Sequence, residues 1–240
     1  PEWFQEGVAT YLADQGTHKL AVFLSAACDA PARLIDACLD GGEELPYICG
    51  CFFLTALAES SDHGDVLPWV RSVVASGSVT DASLTHEVDI PQTWRRASEL
   101  LQASIGDLLG DGTPDRCRCE ESSAQGRAGA GDALACWSRF SQQHREPLNQ
   151  ALAAYWQAKA HYELRDFEEA ARRFADVMDV TVGFGLLDDA QYYRLKSLYL
   201  ARSYDHALDA CEQFLLHYPE SGHRKEALEG YWRLTALQGR

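Results

Sequence analysis

The chain has 240 residues and a formal net charge of −15, with 46% hydrophobic and 24% charged residues. This composition is ordinary for a globular protein, and the acidic excess argues against nucleic acid and anionic membranes, because both bind basic surfaces. No apolar run reaches the roughly 18 residues that a membrane-spanning helix needs. The longest one, residues 47–58, predicts a buried helix. Because few stretches alternate with period two, we predict an all-α fold.

The first residues, PEWFQEGVATYLAD, have the pattern of an amphipathic helix. Its apolar side chains follow helical spacing and include Trp3, Phe4 and Tyr11. Glu6 interrupts this pattern. One interpretation is a surface helix in which Glu6 interacts favourably with the positive end of the helix dipole.

The string P-x-W-F-x-E-G-x-A-x-Y also resembles the gluzincin zinc metallopeptidases of the peptidase MA-like group. In that family an H-E-x-x-H helix supplies two zinc-binding histidines and a glutamate general base. A later helix, entered through Pro-x-Trp, supplies a glutamate as third ligand. The resemblance implies that Glu6 is a zinc ligand. It also implies that Gly7 and Ala9 allow close packing against the H-E-x-x-H helix.

The same resemblance continues over about residues 1–102. The family follows its ligand helix with an apolar Tyr-x-x-Gly-x-x-aromatic helix and ends on a helix with a tryptophan. Here Tyr47, Gly50, Phe53 and Trp94 occupy those phases. Residues 1–103 are therefore expected to form the helical C-terminal half of a gluzincin-type domain.

The sequence departs from the family in one decisive respect, because it contains no H-E-x-x-H. The closest string, HEVDI at residues 86–90, lacks the second histidine. Catalytic zinc needs three protein ligands and an open position for water, so Glu6 alone cannot hold it. We assign no catalytic residue and expect a fragment of a zinc-dependent peptidase that is inactive as given. Zinc would be bound by the intact protein, exported or in the bacterial cell envelope, and not by this chain alone.

Residues 104–132 are rich in Gly, Asp, Ser and Ala and have almost no large apolar residue after Leu109. Such a composition buries too little apolar surface to offset the entropy lost on ordering. This segment is therefore predicted to be a flexible linker.

Residues 133–240 repeat internally with an offset of 37 residues. Aromatic and small residues recur at this offset; the matched sets are Tyr162/Tyr199, Phe167/Tyr204, Ala170/Ala207, Phe174/Cys211 and Ala153/Ala190/Ala227. An aromatic on one helix, a polar turn and a small alanine on the next helix predict helix-turn-helix hairpins that stack on their neighbours.

This pattern resembles the tetratricopeptide (TPR) family over residues 151–240. The family repeat is about 34 residues, so we expect a longer connection around residues 181–187. An ordinary antiparallel helical bundle is the alternative. A TPR-like solenoid implies a non-catalytic scaffold that binds a protein or peptide in a concave groove. The groove-lining candidates are Tyr155, Gln157, Tyr192, Arg194 and Tyr231. A third hypothesis, a lipoprotein-assembly or envelope scaffold, is suggested only by the Y-P-x-S turn.

Eight cysteines leave several pairings open. Cys28, Cys38 and Cys211 lie in apolar helical patterns and are expected to be small buried residues. The two C-x-C pairs, Cys49 with Cys51 and Cys117 with Cys119, would together suit a four-thiolate zinc site. A disulfide between the second pair and Cys136 is an equal alternative in an oxidising compartment.

Overall fold

The computed structural model describes residues 2–39, 45–61, 64–178 and 184–237. These ranges contain fourteen α-helices, one 3₁₀ turn and no strand, which confirms the all-α fold. Within them, no helix combines the length and the apolar character that crossing a membrane requires.

The chain divides into two compact units. Unit 1 comprises Pro1–Leu24 and Asp29–Asp107, and unit 2 comprises Ser25–Cys28 and Leu108–Arg240. The division after residue 107 lies close to the boundary at residue 103 that the change of composition predicts.

Unit 1 is built on an apolar helix that is buried along nearly its whole length. Its helices are α1 (Glu2–Leu12), α2 (Gly16–Ser25), α3 (Ala30–Leu39), α4 (Pro46–Ser60), α5 (Leu67–Ser76), α6 (Val79–Thr85) and α7 (Ile90–Leu109). The buried helix is α4, which confirms the prediction for residues 47–58. Pro46 occupies the first turn of α4, where a missing backbone N–H leaves no hydrogen bond unmade.

Two glycines bring α1 and α4 into backbone contact. A Cβ atom at Gly50 would lie 2.1 Å from the carbonyl oxygen of Trp3 and 2.8 Å from the Cα of Gly7. The metallopeptidase resemblance implies that Gly7 makes room for an H-E-x-x-H helix. In the structure Gly7 instead makes room for α4. Ala9, the second residue expected in that contact, is exposed.

Aromatic rings fill the core around this crossing. The Phe53 ring centroid lies 4.9 Å from that of Trp3, 5.8 Å from that of Trp69 and 4.7 Å from that of Trp94. Aromatic pairs at such distances add to the hydrophobic stabilisation of the core. The indole Nε1 of Trp69 donates to Ser83 Oγ at 3.2 Å, so its polar atom is satisfied inside the unit.

Unit 2 is a succession of helices in which each contacts the next along the chain. Its helices are α8 (Thr113–Ser123), α9 (Ala130–Gln143), α10 (Pro147–Glu163), α11 (Phe167–Met178), α12 (Leu187–Leu200), α13 (Tyr204–His217) and α14 (Arg224–Leu237). The 3₁₀ turn Gly126–Ala128 joins α8 to α9. Of the longer connection predicted around residues 181–187, residues 181–183 lie outside the described residues, and α12 begins at Leu187.

The prediction of a flexible linker over residues 104–132 is wrong, because most of this segment is helical. The guanidinium of Arg116 in α8 is 1% exposed, and it donates to Glu120 Oε1 at 2.7 Å and to the carbonyl oxygen of Ser25 at 3.2 Å. The other carboxylate oxygen, Glu120 Oε2, accepts from the backbone N–H of Cys28 at 3.1 Å. Charge-assisted hydrogen bonds therefore order a helix that has little apolar surface to bury.

Disulfides supply the remaining restraint on α8. Cys117 is bonded to Cys28 and Cys119 to Cys136 on α9, while in unit 1 Cys38 of α3 is bonded to Cys49 of α4. The expected pairing of one C-x-C cysteine with Cys136 is present. The expectation that Cys28 and Cys38 are merely small buried residues is wrong. The four-thiolate zinc site is also wrong, because three of its four sulfurs, those of Cys49, Cys117 and Cys119, are in disulfides and only Cys51 is free. Cys211 is buried and free, as expected.

The 37-residue repeat reappears in the helix boundaries. α10 ends at Glu163 and α12 ends at Leu200, 37 residues later. Two arginines with left-handed backbones follow these helix ends, Arg165 (φ 64°) and Arg202 (φ 62°). Each turn closes with the same two hydrogen bonds: Arg165 N and Arg202 N donate to the carbonyls three residues back, and the following N–H groups donate to the carbonyls five residues back.

We expect Gly50→Ala to lower the free energy of unfolding by about 3 kcal/mol or more, because the new Cβ meets backbone atoms that cannot move aside. The matched control is Gly106→Ala in α7, where a Cβ has no heavy atom within 4 Å. That change should instead stabilise by about 0.5–1 kcal/mol. Denaturant unfolding measures both. Equal stability of the two variants would contradict the close approach of α1 and α4.

Loss of the disulfide between Cys119 and Cys136 should release α8. The chain-entropy model gives on the order of 3 kcal/mol for a bridge with the observed separation of 17 residues. We expect Cys119→Ala/Cys136→Ala to raise backbone hydrogen exchange over residues 113–123. The Cys38→Ala/Cys49→Ala control removes a bridge from unit 1 and should leave exchange in α8 unchanged. Unchanged hydrogen exchange over residues 113–123 after loss of the bridge between Cys119 and Cys136 would refute this account.

Candidate functional site

Glu6, the predicted zinc ligand, is half-buried on α1 beside the core face formed by Trp3 and Phe4. It makes no hydrogen bond or ion pair to any other residue in the described ranges. The string around His86 is not helical, since α6 ends at Thr85 and both His86 and Glu87 lie in a turn and are exposed. Residues 86–90 therefore cannot present two side chains one helical turn apart.

The described residues do not fit a zinc centre. No group of three histidine, cysteine, aspartate or glutamate side chains in those ranges is arranged to hold a metal ion. Glu6 would supply one ligand where catalytic zinc needs three. No step of a hydrolytic mechanism follows from the residues present.

Two of the five groove candidates lie inside unit 2 and not on its surface. Tyr155 is 3% exposed, and its hydroxyl donates to the carboxylate of Asp189. Burial, reinforced by the charge of Asp189, raises the pKa of Tyr155 far above its ordinary value. Gln157 is also buried, and its Nε2 donates to the carbonyl of Trp137 at 3.2 Å. Both side chains join neighbouring helices, although Tyr155 also borders a second recess of about 270 Å³ together with Trp156 and Lys159. That they line a partner-binding groove stays a prediction.

Of the other three candidates, Tyr192 is also buried, while Arg194 and Tyr231 lie nearer the surface. Arg194 is half-buried, and its Nη1 donates to Gln191 Oε1 at 3.5 Å. Tyr231 packs partly buried against a core cluster that includes Tyr192 and Phe214. Of the five, only Tyr192 borders the recess described next.

An open recess of about 350 Å³ lies across three helices of unit 2, α10, α12 and α14. These are the first helices of successive hairpins. Aromatic, aliphatic and charged side chains line it together, including Tyr162, Tyr192, Tyr199, Lys196, Leu200 and Arg233. Gly230 forms part of the wall, and a Cβ there would have no heavy atom within 4 Å.

Beside this recess, two lysines converge on one tyrosine. The Nζ of Lys159 lies 3.3 Å from the ring centroid of Tyr193, and the Nζ of Lys196 lies 5.2 Å from it. Lys196 also lies 5.2 Å from the Tyr192 centroid and 5.6 Å from that of Tyr162. Cation–π attraction holds both ammonium groups against the rings. We call these five residues the lysine–tyrosine cluster.

The cations of this cluster lack carboxylate partners. Within the described ranges, neither Lys159 nor Lys196 has a carboxylate oxygen within 4.0 Å. Burial lowers the pKa of Lys159, and the charge of Lys196 lowers it further, while Asp189 and Glu163 act in the opposite direction. The cluster thus concentrates positive charge in a chain whose formal net charge is −15.

A polar network closes the cluster at the start of α12. Asp189 accepts from Tyr155 and also pairs with His223 Nε2 at 2.5 Å, while the ring of His223 stacks on Tyr192 with centroids 4.1 Å apart. Asp188 accepts from Ser221 Oγ at 2.7 Å. The network ties α10, α12 and the segment before α14 together, and it engages Asp188 and Asp189 away from the lysines.

Lys159 and Lys196 were missed in the sequence because the repeat was traced through aromatic and small residues alone. The same offset of 37 residues relates Lys159, Lys196 and Arg233, one cation on each first helix. This column of repeated cations is the signal that would have found them. Comparison with protein-family models, curated proteins and solved structures found no match to the chain.

Proposed function

We propose that unit 2 is a protein-interaction module of the tetratricopeptide type, and that it binds a peptide segment across α10, α12 and α14. The observation that carries this proposal is the open recess of about 350 Å³ with its tyrosine-rich wall. Tyrosines suit such a role because they offer large contact areas with few rotatable bonds and a polar tip.

Two further features support the repeat assignment. The hairpins α10–α11 and α12–α13 reverse through the same left-handed arginine turn, 37 residues apart. Ala170 and Ala207, at equivalent positions of the second helices, are both fully buried. Helical repeats of this kind bury their apolar faces only by stacking and so leave one face of the first helices for a partner.

Because three helices line the recess, a short peptide segment fits it better than the surface of a second globular protein. A helix of 14 residues is about 21 Å long, and an extended chain advances about 3.3 Å per residue. The recess therefore accommodates a few residues of a peptide, whose apolar side chains would pack against Leu200 and the tyrosines.

The disulfides indicate the compartment, as part of the same proposal. Six of the eight cysteines pair in disulfides, and two of these bridges restrain α8. Structural disulfides persist in oxidising compartments and are rare in the cytosol. We therefore propose that the protein functions outside the cytosol, in agreement with the export that the metallopeptidase resemblance implies.

A second proposal keeps the zinc-peptidase resemblance. It is supported by α1, whose Trp3 and Phe4 enter the core while Glu6 stays half-buried and without a partner among the described residues. Under this proposal the chain belongs to a zinc-dependent peptidase, to which α1 contributes one ligand. The remaining ligands would come from residues other than those described here.

The interaction proposal predicts that filling the recess abolishes binding. A displayed library of random linear peptides serves as the probe, and the sequences enriched by the wild-type protein are titrated individually. We expect Gly230→Leu to weaken their binding about tenfold or more, because its side chain occupies the recess without a clash at Cβ. Gly131→Leu in α9, also free of neighbours, is the matched control and should bind like wild type. Failure to enrich any peptide, or equal binding by Gly230→Leu, would refute this function.

The zinc proposal predicts that Glu6→Gln lowers zinc affinity in the protein purified as its gene encodes it. Loss of a direct ligand should cost more than the roughly 10- to 100-fold that loss of an outer-shell partner costs. Elemental analysis after dialysis against a chelator series measures this. Glu2→Gln, exposed on the same helix, is the control. Zinc occupancy that is indifferent to both changes would exclude Glu6 as a ligand.

A further inference from the structure

We propose that the face of unit 2 around the recess binds peptide segments with acidic side chains. Lys196, in the wall of the recess, and Lys159, which borders a second recess and approaches the same Tyr193 ring, would pair with the carboxylates of the partner. This rests on the proposed function and adds the chemistry of the ligand. It follows from three observations: the supply of cations on this face, the absence of a paired carboxylate among the described residues, and the repetition of the cations along the chain.

Lysine is scarce in this protein. The chain has four lysines, at positions 19, 159, 196 and 225, and two of these four meet at the Tyr193 ring. Several arginines are paired with the chain's own carboxylates, as Arg96 is with Glu59 and Glu99, and Arg172 and Arg173 are with Glu169. Lys19 also lies over an aromatic ring, that of Tyr47. Lys159 and Lys196 differ from it because both approach the same ring, that of Tyr193.

A lysine on an aromatic face keeps donors for a further partner. Cation–π contact engages the ammonium group from one side and leaves N–H groups directed away from the ring. A carboxylate that approached Lys159 would add an attractive charge where burial and Lys196 now disfavour the ammonium form. The partially buried position makes such a pair stronger than one in bulk water.

The acidic groups near the recess limit what can bind. Glu229 pairs with Arg233 at 3.7 Å, and Asp189 is engaged by Tyr155 and His223. Glu163 and Glu226 also lie near the face, so it is not a general anion-binding surface. A polyanion would meet repulsion on either side, whereas a peptide that places single carboxylates at the lysines would not. The complementary ligand is therefore an acidic peptide with apolar residues between its charges.

The geometry also sets the spacing of these charges. The two ammonium nitrogens lie 3.3 Å and 5.2 Å from the Tyr193 centroid, so their separation cannot exceed the sum of these distances. Carboxylates two residues apart in an extended chain, roughly 7 Å, fall within that limit. Arg233 extends the column of repeated cations by one further repeat. We commit to side-chain carboxylates as the source of charge, because a chain terminus supplies only one.

The experiment uses the peptides enriched by the wild-type protein in the display library. Their sequences should be enriched in Asp and Glu over the input library. For the tightest peptide, isothermal titration compares three forms: the acidic peptide with an amidated C-terminus, its Asn/Gln counterpart, and that counterpart with a free C-terminal carboxylate. We expect only the first to bind tightly, about tenfold or more above both others, with affinity falling as salt rises.

Charge-removing variants test the residues. Lys159→Met/Lys196→Met should abolish the preference for the acidic peptide while the Asn/Gln peptide binds as before. Lys19→Met/Lys225→Met removes the same two charges elsewhere and should keep the preference. Lys159→Arg/Lys196→Arg retains the charge and should restore at least part of it, which guards against a Met variant that merely misfolds.

The outcomes separate the two proposals. Enriched peptides without an Asp/Glu bias, equal affinity for the acidic and Asn/Gln forms, or preference for the free C-terminus would each overturn the acidic-ligand inference and leave the interaction function in place. If no enriched peptide loses affinity in the Gly230→Leu variant, the proposed interaction function itself is overturned.

Discussion

The arrangement of unit 2 depends on alanines that let its helices approach one another closely. Ala153, Ala190 and Ala227 recur at the same position of the three first helices, and each is fully buried. Side chains larger than a methyl group at these positions would hold the helices apart, because protein interiors are packed without spare volume. The chain also makes contacts that need this closeness: the Sγ–H of Cys211 donates to the carbonyl of Ala227 at 3.1 Å. The recess across α10, α12 and α14 exists because these contacts fix the relative positions of the three helices.

The turns between helices have the same geometry in the hairpins α10–α11 and α12–α13. Arg165 and Arg202 adopt a left-handed backbone, which costs a non-glycine residue roughly 1–2 kcal/mol, and two closing hydrogen bonds offset that cost. Since both hairpins reverse identically, residues 37 apart take equivalent positions. This is the physical reason that a single sequence offset carries the cations Lys159, Lys196 and Arg233 onto one face.

Local patterns predicted those parts of the fold that local physics decides. The buried helix α4 followed from its apolar run, and the hairpins followed from alanines and aromatics at a constant offset. Helix α8 could not be predicted in this way, since disulfide bonds and the buried Arg116 order it and neither leaves a periodic signal. Pairing of six cysteines is a property of the tertiary structure, which spacing alone does not determine.

The groove candidates also show that local patterns do not determine burial. Helical phase placed Tyr155 and Tyr192 at equivalent positions, and both are buried by neighbours from other parts of unit 2: Tyr155 donates to Asp189 of α12, and Tyr192 stacks on His223. Phase specifies which face of a helix a residue occupies, but not whether a neighbouring helix covers that face. The lysines escaped attention for a different reason. In an acidic chain an isolated cation is usually a solvated charge, and only the tertiary structure brings Lys159 and Lys196 to one ring.

The charged form of Lys159 is disfavoured at the Tyr193 ring, because burial desolvates its ammonium group and Lys196 repels it. The chain has 36 acidic residues, and Asp189 and Glu163 attract Lys159 without forming an ion pair with it. Asp189 is bonded to Tyr155 and His223, and Glu229 pairs with Arg233. Under the acidic-peptide proposal, a ligand that brings carboxylates to Lys159 and Lys196 would offset this unfavourable charge. The carboxylates around the face would then weaken the binding of any anion that does not reach the lysines, so the face would gain selectivity from repulsion as well as from attraction.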